Sequence, residues 1–505
     1  MKKGSGATAS IWVATSELHS RPPLGADISA EVCVVGAGIA GLTTAYLLSE
    51  EGRSVVVLDD GPIAGGETSR TTAHLVNALD DRYFEIEHMH GAKGAQLAAA
   101  SHTSAIDRIE AIVAQERIEC EFERLDGYLF VPPGDSADLL NKELEAAHRA
   151  GLKGVERIAR APLKNFDTGA CLRFPRQAQF HPLKYLSALV QVIEKRGGRI
   201  FNATHADHFK DGEGVTVKTG KGWAVSAGAV VVATNTPVND WVAIHTKQAA
   251  YRTFVIGVPV AQGSVPRALY WDTPDPYHYV RVEGEAGHEV LIVGGEDHKT
   301  GRADDADERF ARLEAWTRER FATTGKVEFR WSGQVMEPID SLAFIGRNPG
   351  NKNIYVATGD SGNGMTHGTI AGILLTDLIL GRQNEWEALY DPGRITLRAA
   401  PEFASENVNA AAQYSDYVTG GDVDNVQELT PGTGGIIRRG VKKVAVYRDT
   451  HGKLHECTAV CPHLGGIVHW NHTEKTWDCP LHGSRFDPFG EALNGPANTG
   501  LAHAD

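Results

Sequence analysis

Residues 31–41 read Glu-Val-Cys-Val-Val-Gly-Ala-Gly-Ile-Ala-Gly and carry the strongest structural signal in the chain. An apolar run leads directly into a turn with three glycines, and apolar residues then recur at helical spacing over residues 39–51. Residues 54–58 are almost entirely apolar, which is typical of a strand buried on both faces of a parallel sheet. The pattern therefore predicts a strand, a tight turn, a helix and a second, parallel strand.

The glycine turn has the spacing G-x-G-x-x-G, which suits a dinucleotide. Gly36 permits the tight turn, Gly38 lets a pyrophosphate approach the backbone, and Gly41 lets the helix and strand pack closely. The first N–H groups of the helix attract phosphates, and an acidic pair after the second strand can accept hydrogen bonds from ribose. A glycine turn in some other α/β unit is the alternative interpretation. The residues predicted to contact the dinucleotide here are Gly36, Gly38, Ile39, Ala40, Gly41, Asp59 and Asp60.

The composition excludes several classes of protein. A chain of 505 residues exceeds one hydrophobic core, so several domains are expected. The formal net charge of −14 argues against a general affinity for nucleic acid, and no apolar run is long enough for a membrane span. The cysteines are too few for a disulfide scaffold, which favours thiols kept for metal ligation and a cytoplasmic location. They are Cys33, Cys120, Cys171, Cys457, Cys461 and Cys479.

Later segments favour FAD over NAD as the dinucleotide. Only one dinucleotide fingerprint is present, and residues 65–74 (Gly-Gly-Glu-Thr-Ser-Arg-Thr-Thr-Ala-His), 231–235 (Val-Val-Ala-Thr-Asn) and 357–368 (Ala-Thr-Gly-Asp-Ser-Gly-Asn-Gly-Met-Thr-His-Gly) follow it in order. Together with Phe180-His181-Pro182 and Trp331-Ser332-Gly333, these segments resemble the D-amino-acid oxidase (DAO) superfamily over roughly residues 30–390. The resemblance implies that the further FAD contacts are Gly66, Thr68, Ser69, Arg70, Thr71, Thr72, Ala73, Ala206, Ala233, Thr234, Asn235, Gly359, Gly362, Gly364, Met365 and Thr366.

The last of these segments also has a physical interpretation of its own. Its glycines leave the backbone open to a flat ligand, and a helix predicted from Thr369 would direct its N-terminus at that ligand. A loop that needs glycine only for positive φ angles is the alternative.

A second motif, C-x-H followed after 15 residues by C-x-x-H, lies near the C-terminus. Two thiolates and two imidazoles suit either zinc or a [2Fe–2S] cluster, but C-x-H is unusual for a zinc finger. Residues 461–466 (Cys-Pro-His-Leu-Gly-Gly) and 479–487 (Cys-Pro-Leu-His-Gly-Ser-Arg-Phe-Asp) resemble the two boxes of a Rieske domain. The resemblance implies that the cluster ligands are Cys461, His463, Cys479 and His482.

Two features of these boxes depart from the Rieske proteins of cytochrome bc complexes. Gly466 and Leu481 stand where those proteins carry a disulfide, and Phe486 replaces a tyrosine. Ser484 retains a hydroxyl that can bond to the cluster. Because hydrogen bonds to sulfur raise the potential, we expect a midpoint potential below the cytochrome bc type.

The resemblances together imply an α/β (α+β) fold of DAO type. A Rossmann-like FAD-binding domain and a mixed-sheet substrate domain would be followed by a small all-β Rieske domain. The expected boundaries are an N-terminal arm at 1–28, an FAD-binding domain at 29–81, 161–240 and 330–400, a substrate-binding domain at 82–160 and 241–329, a linker at 401–425 and the Rieske domain at 426–505.

The DAO resemblance also implies the reaction. An amine or amino acid would be oxidised at its C–N bond to an imine. Because a flavin accepts two electrons at once and the cluster carries one at a time, a chain with both suggests that electrons pass from reduced flavin through the Rieske cluster to an external acceptor such as a ferredoxin-like protein, a quinone or O₂. The candidate substrate residues are Arg281, Tyr279 and His74, because Tyr279 and Arg281 share one face of an alternating strand and Arg281 suits a carboxylate. Each also has a plain structural interpretation, as a surface charge or a packing residue.

Three other functions stay open on the sequence alone. A flavin amine oxidase could use O₂ directly and keep the Rieske domain for structure or redox sensing. A Rieske oxygenase would need a mononuclear iron domain, and only 23 residues follow His482. A protein that binds both cofactors without turnover is the last alternative.

Overall fold

The computed structural model describes residues 4–132, 136–239, 244–285 and 287–504. Residues 1–3 of the predicted arm, the 240/241 boundary between predicted domains and residue 505 lie outside the described residues. The sequence also predicts mostly helix over residues 82–160 with a break near residues 128–133; the strand Glu123–Phe130 lies at this break, and residue 133 lies outside the described residues.

An eight-stranded sheet forms around the strand that precedes the glycine turn. That strand, Ile28–Val35, pairs in parallel with Val55–Leu58 and Ala224–Val232, and all four residues of Val55–Leu58 are buried, as their apolar composition predicts. In spatial order the strands are Phe344–Arg347, Ile354–Thr358, Ala224–Val232, Ile28–Val35, Val55–Leu58 and Arg199–Phe201. Val215–Thr219 also pairs with Ala224–Val232, and Ala206–Asp211 pairs with Val215–Thr219.

A nine-stranded, mainly antiparallel sheet forms the second layer. It contains Cys171–Gln179 and Phe329–Pro338, which we expected in the FAD-binding domain. Both strands pair antiparallel within this sheet, Cys171–Gln179 with Glu123–Phe130 and Phe329–Pro338 with Gln248–Val260. The spatial order is Phe329–Pro338, Gln248–Val260, His288–Lys299, Tyr279–Glu285, Leu269–Asp272, Glu123–Phe130, Cys171–Gln179 and His74–Leu75, with Glu156–Ile158 beside Cys171–Gln179.

Helices cover both sheets, and none among the described residues is long and apolar enough to cross a membrane. The α-helices are Ile11–Ala14, Ile39–Glu50, Tyr83–Glu116, Asp138–Arg149, Pro182–Lys195, Ala306–Arg320, Gly364–Ile379, Glu387–Tyr390 and Ala400–Ala412. The short 3₁₀ helices are Glu67–Arg70, His245–Lys247, Leu397–Ala399, Gln413–Tyr417 and Val426–Glu428.

Two helices cross closely beneath the glycine turn. A Cβ atom on Gly368 would lie 2.6 Å from Cγ2 of Ile39, and one on Gly372 would lie 2.5 Å from Cγ2 of Thr43. The helix Gly364–Ile379 therefore begins five residues before the predicted start at Thr369, because its glycines are required by this crossing and do not interrupt it.

The C-terminal domain consists of two small antiparallel sheets. One contains Thr433–Arg439, Lys442–Arg448 and Leu454–Thr458, and the other contains His469–Asn471, Thr476–Asp478, Arg485–Phe486 and Ala492–Asn494. Buried Trp477 and Phe486 lie in its core beside the cysteines of the C-x-H and C-x-x-H motifs. The domain packs directly on the two larger sheets.

Candidate cofactor and substrate sites

A cavity of about 940 Å³ lies at the carboxyl ends of the parallel strands. Ligand cavities typically span roughly 300–1,000 Å³, so this one has room for a large cofactor and a small substrate. The glycine turn, the loop after Gly66 and the turn around Gly362 all line it, as the sequence predicts for a flavin site.

The backbone of the glycine turn fits a pyrophosphate. Gly36 has a φ of 105°, and a Cβ there would lie 2.3 Å from the Ala233 carbonyl oxygen. A Cβ on Gly38 would lie 3.0 Å from Thr68 Oγ1, inside the space that the cavity leaves open. Asn235 also lines the cavity, and its buried Nδ2 has no hydrogen-bond partner among the described residues. These features fit FAD held by the predicted residues.

Four predicted cofactor residues do not line this cavity. Gly41 lies inside the strand–helix contact, where a Cβ would be 1.9 Å from the Gly36 carbonyl oxygen. The Ser69 hydroxyl donates to the Gly66 carbonyl oxygen at 2.9 Å, and the carbonyl of Ala73 accepts from Arg281 at 3.0 Å. Thr366 donates to the Asn363 carbonyl at 3.0 Å. These four residues hold neighbouring segments in place and do not line the cavity themselves. The spacing of the sequence motifs does not show which residues have this role.

Buried carboxylates line the part of the cavity next to the Gly362 turn. Asp80 accepts from the Tyr277 hydroxyl at 2.5 Å, and Ser361 lies between Asp81 and Glu337 at 2.7 and 2.9 Å. Burial raises the pKa of all three, that of Asp80 to about 6.

Two further carboxylates, Asp297 and Asp360, line the same region. Burial raises the pKa of Asp297 to about 7 and that of Asp360 to about 6. Among the described lining residues, Arg70 and Arg82 carry the only guanidinium groups, and no lysine is present. The acidic residues of the cavity were not predicted from the sequence, although Asp80-Asp81 and Glu337 lie beside segments that resemble the DAO superfamily.

Arg281 is not among the residues that line the cavity. Its side chain is fully buried, pairs with Glu283, and donates to the carbonyl oxygens of Thr72 and Ala73 at 3.1 and 3.0 Å. Arg281 lies on the same face of the strand as Tyr279, as predicted. At Arg281, however, the loop before His74 covers that face. Arg281 therefore supports the loop, and the structure gives no route to the predicted contact with a substrate carboxylate.

His74 and Tyr279 do line the cavity. Their rings meet edge-to-face with centroids 5.8 Å apart. Burial, with the charge of Arg281, lowers the pKa of His74 to about 3, so its imidazole is neutral. Tyr279 hydrogen-bonds through its hydroxyl to Thr253 at 2.6 Å. Both side chains therefore face the cavity in which the sequence predicts a substrate to bind.

The C-x-H and C-x-x-H motifs form two facing turns. Cys461 N–H donates to the Gly466 carbonyl at 2.8 Å, and Cys479 N–H donates to the Ser484 carbonyl at 2.8 Å. The rings of His463 and His482 lie 5.2 Å apart at 82°. The buried Nδ1 of His482 has no hydrogen-bond partner among the described residues, so it is available to a metal.

The four residues of the two motifs have the composition that a Rieske cluster needs. A single tetrahedral zinc takes all its ligands at about 2.0–2.3 Å from one point, whereas a Rieske cluster takes two cysteines on one iron and two histidines on the other. Each of the facing turns contributes one cysteine and one histidine, so Cys461, His463, Cys479 and His482 fit a [2Fe–2S] cluster.

The two positions expected to lack a disulfide face each other. A Cβ on Gly466 would lie 2.7 Å from Cδ1 of Leu481 and 3.0 Å from the Cys479 sulfur. All six cysteines are free and buried. Ser484 is fully buried, and its hydroxyl accepts from the N–H of Ala497 at 3.0 Å.

A buried ion network joins the cluster domain to the flavin loop. Glu474 accepts from Arg70 at 2.9 Å and from the hydroxyls of Thr8 and Ser332, both at 2.6 Å. Arg485 lies 3.2 Å from Asp478 of its own domain. The network also includes Glu67, 3.7 Å from Arg485, and Arg252, 3.6 Å from Asp478. This network could not be predicted from the sequence, because its members include residues more than 400 positions apart in the chain.

Comparisons with known proteins agree with this architecture. Residues 31–378 match the family described as FAD dependent oxidoreductase (DAO), and residues 421–504 match the Rieske [2Fe-2S] domain. A Bacillus subtilis (strain 168) protein, YhfW, described as a Rieske 2Fe-2S iron-sulfur protein, is 30% identical over 505 residues, which is 99% of this chain and 98% of its own length. Gamma-glutamylputrescine oxidoreductase of Escherichia coli (strain K12) is 27% identical over 77% of this chain and 95% of its own length. The crystal structure of glycine oxidase from Geobacillus kaustophilus shares the fold, with a TM-score of 0.61 at 15% identity, over 73% of this chain and 99% of that chain.

Proposed function

This chain belongs to the FAD-dependent oxidoreductase (DAO) family and carries a Rieske [2Fe–2S] domain, and from that premise we propose that it oxidises a cationic amine and passes the electrons through the cluster to an external acceptor. The predicted family, fold class, enzyme class and cofactors are confirmed by the family matches and the shared fold. The substrate, the electron route and the acceptor are proposals.

The proposed reaction needs a two-electron acceptor, which bound FAD would supply, and one molecule of water. The carbon next to nitrogen loses a hydride and the nitrogen loses a proton, so a C=N bond forms, and water then splits the imine into a carbonyl compound and an amine. When bound, FAD takes up two electrons at once and a [2Fe–2S] cluster carries them one at a time. Two one-electron acceptors, or one two-electron acceptor, complete the turnover.

The observation that carries the electron route is a residue shared by both sites. Gln334 lines the FAD cavity, and its side-chain amide donates at 3.0 Å to the carbonyl of Gly483, the residue after the ligand His482. Gln334 is only 2% exposed, so this link is shielded from water. A fixed contact of this kind supports short-range electron transfer without movement of the domain.

The charges in the cavity support an amine as the substrate in preference to an amino acid. Buried carboxylates with raised pKa values regain their charge when a cation arrives. The guanidinium of Arg82 is directed at main-chain carbonyls, with the Asp80 carbonyl accepting at 2.6 Å, and that of Arg70 is held by Glu474. A substrate carboxylate would therefore enter a region dominated by Asp80, Asp297 and their neighbours. The gamma-glutamylputrescine oxidoreductase relative, whose name indicates an amine, agrees with this choice.

An anaerobic mixing experiment tests both parts of the proposal. A diamine, a monoamine of equal length and an amino acid of equal length are each mixed with the enzyme, while flavin absorbance and the EPR signal of the cluster are followed. We expect the diamine to bleach the flavin at the lowest concentration and to reduce the cluster in the same reaction. A preference for the amino acid would overturn the substrate assignment. Bleaching without cluster reduction, followed by fast reoxidation by O₂, would favour the oxidase alternative.

A substitution at Asp297 tests the role of the acidic cavity. We expect Asp297→Asn to raise the KM for the diamine roughly ten-fold, equivalent to about 1.4 kcal/mol. Because the pKa of Asp297 is about 7, its charged form appears as the pH rises through that value. The KM of the unaltered enzyme should therefore fall with rising pH near 7, and this step should be absent in the variant. The exposed Asp424→Asn is the matched control, and equal KM values for all three proteins would contradict the assignment.

A further inference from the structure

We propose that the Rieske domain supplies part of the FAD site, through its C-terminal segment Ala492–Asn498, so that the flavin and the cluster are bound cooperatively. Six residues of this segment line the FAD cavity: Ala492, Leu493, Asn494, Gly495, Ala497 and Asn498. They face the same cavity as Asp59 and Thr204, at the end where a dinucleotide ribose is expected. No other described residue of the Rieske domain lines this cavity.

Hydrogen bonds hold the segment against the flavin domain. The side chain of Asn498 donates to the carbonyls of Ala206 and Asp207 at 3.1 and 3.2 Å, and its own carbonyl lies 2.9 Å from Nε2 of His205. His205 in turn lies 3.1 Å from Asp60, a predicted ribose contact. The Rieske segment and the FAD-contacting residues therefore share one set of hydrogen bonds.

The middle of the segment fits the cavity wall with little space to spare. A Cβ on Gly495 would lie 3.2 Å from both the Thr236 carbonyl oxygen and Cγ1 of Val238. Asn494 donates to Glu67 at 3.1 Å, and Glu67 belongs to the loop that lines the cavity on its other side. The segment therefore has one defined position on the flavin domain.

The same segment is connected to the cluster. The N–H of Ala497 donates to the buried Ser484 hydroxyl at 3.0 Å, and the Ser484 carbonyl accepts from the N–H of the ligand Cys479 at 2.8 Å. One residue that lines the FAD cavity is thus two hydrogen bonds away from a cluster ligand. A ligand that orders this segment also orders the cluster site, and linkage requires the effect to be reciprocal.

The first test measures FAD affinity in protein that keeps its cluster. FAD is removed and then titrated back while flavin fluorescence is followed, and visible circular dichroism confirms that the cluster is intact. We expect Asn498→Ala to raise the Kd of FAD by about ten-fold, since it removes two hydrogen bonds that position the wall. Asn425→Ala removes the same side chain from an exposed position of the same domain and should bind FAD as tightly as the unaltered protein. Equal Kd values for all three proteins would overturn the proposal.

The second test uses the unaltered protein and does not depend on the variant. Hydrogen–deuterium exchange of the cluster-containing protein is compared before and after FAD is added, with amides of the segment Ala492–Asn498 as the readout and the strand Lys442–Arg448 as the internal control. We expect FAD to slow exchange in the segment and to slow chelator-driven release of iron. Exchange and iron release that are both insensitive to FAD would overturn the proposal, whatever the variant does.

Discussion

Glu474 is the centre of the buried network between the cluster domain and the flavin loop, and its replacement is the sharpest test of how the domains are held. The side chain is fully buried. Burial by itself would raise the pKa of Glu474, but Arg70, Arg252 and Arg485 outweigh that effect and lower the pKa from 4.5 to about 2. The carboxylate is therefore charged in the folded protein, and three arginines depend on it.

The size of the effect follows from this pKa. A fall from 4.5 to about 2 corresponds to about 3 kcal/mol of preference for the charged form in the folded state. Because the pKa is lowered, this stabilisation is complete above pH 4.5 and is lost as the pH falls towards 2. Glu474→Gln removes the charge at every pH and leaves Arg70 with a neutral partner. We expect the free energy of unfolding at pH 7 to fall by about 3–5 kcal/mol.

Urea titration at several pH values measures this quantity, with the visible circular dichroism of the cluster as the signal for its domain. Glu491→Gln, which changes an exposed glutamate of the same domain, should alter stability by less than about 0.5 kcal/mol. The difference between the unaltered protein and Glu474→Gln should shrink as the pH is lowered towards 2. A loss below about 1 kcal/mol at pH 7, or a difference independent of pH, would refute the assignment of Glu474 as a charged anchor.

Other substitutions test the two cofactor sites separately. Gly38→Val places a side chain where the cavity is open, so FAD affinity measured by fluorescence should fall by at least about ten-fold while iron content stays unchanged; tight FAD binding would contradict this placement. Ser484→Ala should lower the midpoint potential of the cluster in an EPR-monitored titration, since it removes the hydroxyl that the sequence predicts to bond to the cluster, and an unaltered potential would argue against that predicted contact. The pair Gly466→Cys and Leu481→Cys should cross-link on mild oxidation, detectable by mass spectrometry after proteolysis, whereas two thiols that remain free would show that these positions do not face each other in solution.

Local patterns in the sequence were sufficient to predict the first parallel strands and the two turns that carry the predicted cluster ligands. The apolar run before Gly36 and the glycine spacing are properties of adjacent residues, so the strand, turn and helix could be placed from them alone. The same holds for Cys461-Pro-His463 and its partner box, where ligands and turn residues occupy one short segment each. The start of the helix Gly364–Ile379 was predicted too late, because its glycines are explained by a crossing helix far away in the chain.

Contacts between distant segments could not be predicted in this way. Arg281 has the residue type and the strand position of a substrate contact, yet Glu283 and the carbonyls of Thr72 and Ala73 take up its guanidinium. The acidic region of the cavity combines residues from four separate segments, among them Asp80, Asp297 and Glu337. Each of these carboxylates is ordinary on its own strand or loop, and burial in the folded cavity, together with the neighbouring carboxylates, raises their pKa values.

The sequence by itself was therefore sufficient to predict a flavin-binding fold and an iron–sulfur domain. The glycine turn and each Cys/His ligand pair consist of residues that are close together in the chain, so a short segment contains the whole pattern. The position of the Rieske domain against the FAD cavity, and the meeting of Asn498 with Ala206 and of Glu474 with Arg70, follow from how the folded surfaces match. Burial and charge pairing across several hundred residues are properties of the packed molecule, because the free energy of each contact depends on neighbours that are absent from its own segment.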